Sequence, residues 1–456
     1  MKETTIKQND MKRILTGLLL IAFQLTCGLA QPEDLDAKYA TELLKPGAEV
    51  PEFKLKTLDG KTFKSSELRG HYTVIECWAS WCPDCRKDIP NIQRIYQRFH
   101  PQGVEFVGLS FDTDHDKWQQ AVEKYGLAYT QVSELKRMRE SAVAQAYGVR
   151  WIPSMYLIDP NGKVVLGTVL SDKLERTLYE LFAKPFTPNI ERITIDGAKG
   201  RLAAVIQKPE LKAGQQCPMA ILCHGFTANK DTKLLTLLAD SLQARGIASI
   251  RFDFNGHGES EGSFQEMTVV NEIEDAKKVY DYVRSLNYVS RIAILGHSQG
   301  GVVAAMTAGE LATAAAAVDR NNNAPLAAVV LLAPAGVLRD DALRGLSPTM
   351  LYMADLNPLA PPEYIEIYGG LRLGRDYIKT AQTLPIYQTA RRYQGSALII
   401  HGTADRVVPY TYGERFHEQW PQSRYELLDG FDHGFTQCMY RVADLATDYL
   451  IHTLQD

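Results

Sequence analysis

Residues 190–456 alternate short apolar runs with longer segments of helical periodicity. Strands are predicted at Arg201 to Gln207, Met219 to Cys223, Ile247 to Phe252, Ile292 to Leu295, Leu326 to Leu332 and Ala397 to Ile400, and helices at Leu234 to Ala244 and Val269 to Leu286. Such an alternation is typical of a mostly parallel, doubly wound sheet. We therefore predict an α/β domain over this part of the chain.

Residues 45–184 show a second alternation of the same kind. Strands are predicted at Tyr72 to Trp78, Val104 to Phe111, Ser154 to Ile158 and Lys163 to Thr168, and helices at Arg86 to Phe99, His115 to Tyr125 and Met138 to Tyr147. A chain of 456 residues is too long for one ordinary core. We therefore predict two domains, at 45–184 and 190–456, joined by a proline-containing linker at 185–189.

The first thirty residues have the pattern of an export signal. Lys12 and Arg13 precede an apolar run from Ile14 to Leu25, and a small-residue cleavage site ends at Ala30. The run is too short to span a bilayer, and no other stretch reaches that length. We expect a signal peptide at 1–30 and an exported protein, periplasmic or secreted, with no membrane span after the signal is removed. Lipoprotein anchoring at Cys27 is the alternative.

Composition and charge limit the partners. Apolar residues make up 45% of the chain and charged residues 23%, as in soluble globular proteins. The formal net charge is −4, and no block of Lys and Arg is present. We therefore expect no nucleic-acid partner.

The stretch Gly296-His297-Ser298-Gln299-Gly300 carries the first candidate chemistry. It follows a predicted strand and precedes a run of small residues with helical character. The order strand, G-x-S-x-G, helix is the context in which this motif forms a nucleophile elbow, with a strained and exposed serine. Ser298 is therefore the predicted nucleophile.

A base and an acid follow the serine in the order that this architecture requires. Asp405 comes just after the strand that ends near Ile400, and His433 lies in a later loop. His433 would take the proton of Ser298, and Asp405 would orient His433. Asp429 and Asp432 are the competing acids, and we interpret them as residues that shape the histidine loop.

The remaining histidines are expected to have structural roles. His224 follows a predicted strand and is expected to brace a loop whose Phe226 amide, with the Gln299 amide, would form an oxyanion hole. His257, His297 and His401 are expected to be structural neighbours of the site. No pair of histidines has metal-ligand spacing, so we expect neither a metal nor a cofactor.

Cys82 and Cys85 form a C-x-x-C pair before a predicted helix. A cysteine at the first turn of a helix is stabilised as a thiolate, and a second cysteine one turn later can resolve a mixed disulfide. The alternative is half of a zinc site, but no second Cys/His pair at metal spacing is present. We therefore predict a redox-active pair, with Cys77 as a small core residue.

The motif Trp81-Cys82-Pro83-Asp84-Cys85, together with Ile152-Pro153, resembles a thioredoxin-like domain of the exported, cytochrome-maturation-related type. The resemblance implies a thioredoxin-like fold, a cis Pro153 beside the cysteine pair and a protein thiol or disulfide as partner. It also implies a buried acid at Glu76 that helps proton transfer. The alternative for Glu76 is an outward-facing side chain at the edge of the site.

The second domain resembles the bacterial cinnamoyl/feruloyl esterases of the α/β-hydrolase fold. The resemblance rests on His224-Gly225-Phe226-Thr227, Phe252 to Ser260, Gly296 to Gly301 and Leu332-Ala333-Pro334-Ala335. It implies a lid insertion at about 336–385, in which Asp341 and Tyr377 bind the phenolic hydroxyl of an aromatic ester. The alternative places Asp341 on a solvated helix face and Tyr377 in the lid core.

These observations lead to one main hypothesis and two alternatives. The chain is predicted to be a serine esterase for hydroxycinnamate esters, fused to a thioredoxin-like domain with a redox-active cysteine pair. In the first alternative the hydrolase acts on another acyl ester, a thioester or a small peptide. In the second, the thioredoxin-like domain is a docking module or supplies the main activity as a thiol-disulfide oxidoreductase.

Overall fold

The computed structural model describes residues 34–183, 186–318, 325–344 and 357–455. The predicted signal peptide with Cys27, Pro185 of the predicted linker and residues 345–356 of the predicted lid lie outside the described residues. The chain divides into two compact units, one that ends at Leu174 and one that begins at Glu175.

The first unit is built on a mixed sheet. Its strands are β1 (Lys54–Thr57), β2 (Thr62–Lys64), β3 (Tyr72–Trp78), β4 (Val104–Ser110), β5 (Thr130–Ser133), β6 (Ser154–Ile158) and β7 (Val164–Thr168). They lie in the order β2-β1-β5-β4-β3-β6-β7, with β3, β4 and β5 parallel and the other pairs antiparallel. Six of the seven residues of β3 are buried, which agrees with its nearly continuous apolar sequence.

Between residues 34 and 182 the described chain forms five α-helices, of which the last continues into the second unit. They are α1 (Leu35–Tyr39), α2 (Pro83–Phe99), α3 (His115–Tyr125), α4 (Ala142–Ala146) and α5 (Ser171–Phe182). The predicted helix from Met138 to Tyr147 is divided into a 3-10 helix at Met138–Glu140 and the α-helix α4. Ser141 has an extended backbone and its side chain accepts a hydrogen bond from the amide of Ala144, so it caps α4 and interrupts the helix.

The boundary between the units falls within α5, earlier than the predicted linker at 185–189. From Glu175 onward α5 belongs to the second unit and contacts other residues of that unit. The Tyr179 hydroxyl donates a hydrogen bond of 2.5 Å to Asp444, and the Tyr179 ring stacks on Tyr440.

The second unit contains a larger, mostly parallel sheet. Its strands are β8 (Ile190–Asp196), β9 (Arg201–Gln207), β10 (Cys217–Cys223), β11 (Ala248–Phe252), β12 (Val289–His297), β13 (Ala328–Leu332), β16 (Ser396–Gly402) and β17 (Arg424–Leu428). They lie in the order β17-β16-β13-β12-β10-β11-β9-β8, and only the pairs that involve β9 are antiparallel. A small ribbon of β14 (Tyr364–Glu366) and β15 (Arg372–Gly374) lies in the lid region.

Helices cover both faces of the larger sheet. They are α6 (Lys233–Ala244), α7 (Val269–Ser285), α8 (Gln299–Val318), α9 (Leu338–Arg344), α10 (Arg375–Thr383), α11 (Ile386–Ala390), α12 (Thr411–Gln419) and α13 (Met439–Gln455). Alternate residues of one strand belong to different apolar cores, as Ile221 and Leu222 of β10 do. The parallel strands β10, β12, β16 and β17 end at the same edge of the sheet, which is where α/β folds place their ligands.

Candidate active sites

The predicted nucleophile Ser298 lies in a sharp turn between β12 and α8. Its φ is +58°, a left-handed conformation that is strained for a serine. A Cβ on Gly296 would lie 1.9 Å from the carbonyl oxygen of Gly300, and one on Gly300 would lie 2.3 Å from that of His224. Glycine is therefore the residue that fits both positions, and the turn presents Ser298 at the carboxyl edge of the sheet.

Three loops bring Ser298, His433 and Asp405 into hydrogen-bond contact. His433 Nε2 lies 2.8 Å from Ser298 Oγ, and His433 Nδ1 lies 2.7 Å from Asp405 Oδ2. A neutral imidazole that is protonated at Nδ1 accepts from the serine and donates to the carboxylate. This geometry suits proton removal from the serine hydroxyl.

Asp405 is surrounded by donors. Its Oδ1 accepts from the amides of Val407 and Val408 at 2.9 and 2.8 Å, and its Oδ2 also lies 3.1 Å from Nε2 of the fully buried His401. Burial raises the pKa of Asp405, but the hydrogen bonds from His401 and His433 outweigh it and hold the pKa well below its usual range. The carboxylate is therefore ionised in the folded protein.

The competing acids stand elsewhere in the histidine loop. Asp432 accepts from the backbone amide of Thr436 at 2.9 Å, and Asp429 accepts from the hydroxyl of Thr403 at 3.0 Å. Of the three acids, the structure brings Asp405 to the His433 ring.

Two further histidines hold the loops of the site. His297 Nε2 lies 2.8 Å from the carbonyl oxygen of His433, and burial lowers the pKa of His297 to about 4. His224 accepts from the amide of Phe254 at 3.1 Å, and burial lowers its pKa to about 3. Both rings are therefore neutral at pH 7, and they hold the loops through hydrogen bonds without adding a charge to the site.

The predicted oxyanion donors are the amides of Phe226 and Gln299. Gly225 allows the loop after β10 to pack closely against the turn that holds Ser298, because a Cβ at position 225 would lie only 3.1 Å from Ser298 Cβ. Gln299 is the first residue of α8, so its amide has no acceptor within the helix. The side chain of Gln299 is buried and hydrogen-bonded at both of its polar atoms.

The two predicted lid residues are both buried. Asp341 in α9 is 7% exposed, which excludes the solvated helix face. Tyr377 in α10 is 1% exposed, and its hydroxyl donates to Gln299 Oε1 at 2.7 Å. Helices α9 and α10, which carry these two residues, contact each other. The hydroxyl of Tyr377 is hydrogen-bonded to Gln299, which follows the nucleophile in the sequence.

Glu272 is a residue at this site that the sequence analysis did not single out. It lies on the buried face of α7, and its Oε2 accepts from Gln299 Nε2 at 2.7 Å. Burial raises the pKa of Glu272 to about 8. The sequence does contain a signal for this residue. Glu272 lies at helical spacing among Val269, Ile273 and Ala276, and an acid on an apolar helix face requires an explanation.

The first unit holds a separate candidate site. A disulfide joins Cys82 and Cys85, whose Cα atoms are 5.3 Å apart. Cys82 is the N-cap of α2, and its Sγ accepts from the amide of Cys85 at 3.1 Å. Proline at the first helical position starts α2 at Pro83, earlier than the predicted Arg86.

Two residues were predicted to support this pair. The Ile152–Pro153 peptide bond is cis, and the carbonyl oxygen of Ile152 lies 3.6 Å from Cys82 Sγ. Glu76 is 2% exposed and accepts a hydrogen bond from the hydroxyl of Tyr129, which excludes the outward-facing alternative. Burial raises the pKa of Glu76 to about 7, so its carboxyl group can gain or lose a proton near neutral pH.

The described residues offer neither a metal site nor a membrane-spanning helix. No cluster of three or more His, Cys, Asp or Glu side chains suited to a metal ion occurs in the described ranges. Among the helices of those ranges, none has the length and apolar character needed to cross a membrane.

The folds and the two sites define a thioredoxin-like domain followed by an α/β-hydrolase domain. Residues 46–166 match the model of the AhpC/TSA family, and residues 215–365 match the model of the family described as serine aminopeptidase, S33. The thiol-disulfide oxidoreductase ResA of Bacillus subtilis is 31% identical over 152 residues, which cover 33% of this chain and 81% of ResA. ResA of Geobacillus thermodenitrificans is 28% identical over 176 residues, which cover 38% of this chain and 94% of that protein. Through its first domain the chain belongs to the ResA family of thiol-disulfide oxidoreductases.

The second domain is similar to a solved hydrolase structure. Est1E of Butyrivibrio proteoclasticus, determined with ferulic acid bound, is 26% identical with a TM-score of 0.51, and the match covers 58% of this chain and 100% of Est1E. A second structure of Est1E is 23% identical with a TM-score of 0.50, and the match covers 58% of this chain and 99% of Est1E. The match to this second Est1E structure, at 23% identity, shows a similarity of fold alone.

Proposed function

We propose that the second domain is a serine esterase in which Ser298, His433 and Asp405 form the catalytic triad. The observation that carries the proposal is the unbroken hydrogen-bonded series from Ser298 Oγ through His433 to Asp405, at 2.8 and 2.7 Å, in the turn after β12. A serine that is strained and bonded to a histidine–carboxylate pair is equipped for attack on an acyl carbon.

The chemistry follows from these contacts in two stages. Ser298 Oγ attacks the ester carbonyl as His433 Nε2 takes its proton, and the amides of Phe226 and Gln299 stabilise the oxyanion. His433 then gives the proton to the leaving alcohol, and the acyl group remains on Ser298. Water, activated by the same His433, releases the carboxylic acid and restores the serine.

For the substrate we propose an aromatic ester of the hydroxycinnamate class. Two buried polar side chains in the lid, Asp341 and Tyr377, would bind its phenolic hydroxyl. The likeness to Est1E, whose structure holds ferulic acid, supports an aromatic acyl group. The match to the serine aminopeptidase model keeps another acyl ester or a small peptide as the competing substrate class.

Hydrolysis by the full-length protein tests this proposal. The substrates are methyl ferulate, methyl butyrate and an aminoacyl p-nitroanilide, each with wild-type protein and with Ser298→Ala. We expect hydrolysis of methyl ferulate by the wild type and its loss in Ser298→Ala. Equal rates from the two proteins would contradict the triad, and a preference for the anilide would move the substrate to peptides.

For the first domain we propose thiol-disulfide exchange by Cys82 and Cys85. In the reduced form the Cys82 thiolate attacks a partner disulfide, which releases one partner thiol and leaves a mixed disulfide. Cys85 then attacks Cys82 Sγ, so that the Cys82–Cys85 disulfide forms and the second partner thiol leaves. Glu76 would accept the Cys85 proton, and Pro153 would border the partner.

Reduction of insulin in the presence of dithiothreitol tests the second proposal. We expect the wild-type chain to accelerate it and Cys82→Ser to abolish the acceleration. A wild-type chain that shows no thiol-dependent activity would favour a docking role for this domain. We also propose that the chain acts after export, on the basis of the predicted signal peptide at 1–30.

A further inference from the structure

The side chain of Gln299 is held from two sides by different elements of the second unit. Its Nε2 donates to Glu272 Oε2 of α7 at 2.7 Å, and its Oε1 accepts from the Tyr377 hydroxyl of α10 at 2.7 Å. All three residues are at most 1% exposed. Hydrogen bonds in such a dry environment restrict a side chain more strongly than the same bonds at a surface.

Tyr377 contacts both residues that carry the proposed oxyanion donors. Its hydroxyl bonds the side chain of Gln299, and its ring centroid lies 5.6 Å from that of Phe226. The Phe226 ring also packs against Phe264, at 5.6 Å between centroids. One tyrosine of the lid region therefore touches the two loops whose amides must point at the same oxygen atom.

Glu272 has no other role that its contacts explain. Within the described ranges, its second carboxyl oxygen, Oε1, is buried and has no hydrogen-bond partner. A buried carboxyl group with an unsatisfied oxygen is costly, and such groups persist where they serve the site. The described bond of its side chain is the one to Gln299.

We propose that Tyr377 and Glu272 are positioning residues that hold Gln299, and with it the oxyanion hole, in its working geometry. This inference rests on the proposed esterase function and extends it. The role of Tyr377 in positioning Gln299 is separate from its proposed role in binding the phenolic hydroxyl. Oxyanion stabilisation depends on donors that are aligned before the charge develops. Loss of either contact would therefore lower kcat for any acyl group, with or without a phenol.

Two substrates of the same shape separate the roles of Tyr377. Methyl ferulate carries the phenolic hydroxyl, and methyl cinnamate lacks it. With the full-length Tyr377→Phe protein we expect kcat to fall about 10-fold on both esters, as for the loss of one hydrogen bond, and KM to rise for methyl ferulate alone, because the proposed contact with the phenol is lost as well. A loss confined to methyl ferulate, and mainly in KM, would assign Tyr377 to the phenol and overturn the positioning role.

Glu272 and Gln299 supply the second arm of the experiment. Glu272→Leu should lower kcat as Tyr377→Phe does, whereas Glu272→Gln keeps an acceptor for Gln299 and should keep kcat. Gln299→Met removes both side-chain bonds but leaves the backbone amide. If the contacts act as one unit, the Tyr377→Phe/Gln299→Met double variant will be no slower than Gln299→Met alone. Independent, multiplying losses would overturn the proposal.

Tyr393→Phe is the matched control. Tyr393 is 1% exposed, as Tyr377 is, and its hydroxyl donates to the carbonyl oxygen of Ser396 at 3.1 Å. We expect its kcat to equal that of the wild type. Active-site titration with a fluorophosphonate gives the fraction of folded sites, so kcat is compared per site. Unchanged kcat in Tyr377→Phe and Glu272→Leu, with activity lost in Ser298→Ala, would overturn this inference and leave the esterase proposal standing.

Discussion

Replacement of Glu272 by Gln tests the electrostatic state of the buried acid beside the elbow. Burial raises the pKa of this carboxyl group from 4.5 to about 8 in the folded protein. In the unfolded chain the group ionises near its ordinary value. Between these two pH values the folded state holds a proton that the unfolded state has released, so the folded protein loses stability as the pH rises.

The size of this effect follows from the two pKa values. Each unit of pKa difference corresponds to about 1.4 kcal/mol, so the interval from 4.5 to about 8 corresponds to roughly 5 kcal/mol. Glutamine has nearly the same shape, accepts the same hydrogen bond from Gln299 and never ionises. The Glu272→Gln protein should therefore match the wild type near pH 5 and be more stable by several kcal/mol at pH 8.5.

Differential scanning calorimetry of the full-length protein measures this difference. At pH 8.5 we expect the transition of the hydrolase unit to move upward by about 5 to 10 °C, since 1 kcal/mol shifts a unit of this size by about 2 °C or less. The transition of the first unit serves as an internal reference. Other buried acids with raised pKa values, such as Asp275, are common to both proteins and cancel in the comparison.

The control is Glu266→Gln, which removes an exposed carboxylate close to Glu272 in the sequence. It should leave the transition unchanged at both pH values. A gain in Glu272→Gln that is equally large at pH 5 and at pH 8.5 would refute the reasoning, because it would show that Glu272 is not held protonated by the fold.

Three further predictions concern the elbow and its acid. Asp405→Asn should lower kcat for methyl ferulate by about 10⁴-fold with the fold intact by circular dichroism, because His433 loses its oriented tautomer. His401→Leu should lower kcat/KM by roughly 10- to 100-fold, as expected for a lost hydrogen bond to a charged group, and should move the acidic limb of the pH–rate profile upward. Gly300→Ala should yield inactive, poorly folded protein on gel filtration, since its Cβ would lie 2.4 Å from the Cys223 carbonyl oxygen.

Local sequence patterns predicted the parts of the hydrolase site that depend on backbone geometry. The glycines at 296 and 300 indicated the tight turn, and the strand and helix on either side gave the motif its context. Asp405 and His433 could be proposed because parallel strands end at one edge and chain order is a property of the architecture. The structure adds the distances, 2.7 and 2.8 Å, which no local pattern contains.

Contacts across the fold could not be predicted in this way. Tyr377 lies 78 residues from Gln299, and Glu272 lies 27 residues from it. Helical spacing indicates that Glu272 faces inward, but not which side chain meets it. The two alternatives for Glu76 remained open for the same reason, since its partner Tyr129 is 53 residues away.

Of the three buried groups Asp405, His297 and Glu272, only Asp405 is charged at pH 7. Asp405 is ionised, whereas burial lowers the pKa of His297 to about 4 and raises that of Glu272 to about 8, so both are neutral at pH 7. The neutrality of His297 matters most, because its ring lies 5.0 Å from the ring of His433. A positive charge there would oppose the protonation of His433 during attack. By burying His297 and placing its ring against the His433 loop, the fold thus keeps the loop contact and avoids a charge that would weaken the general base.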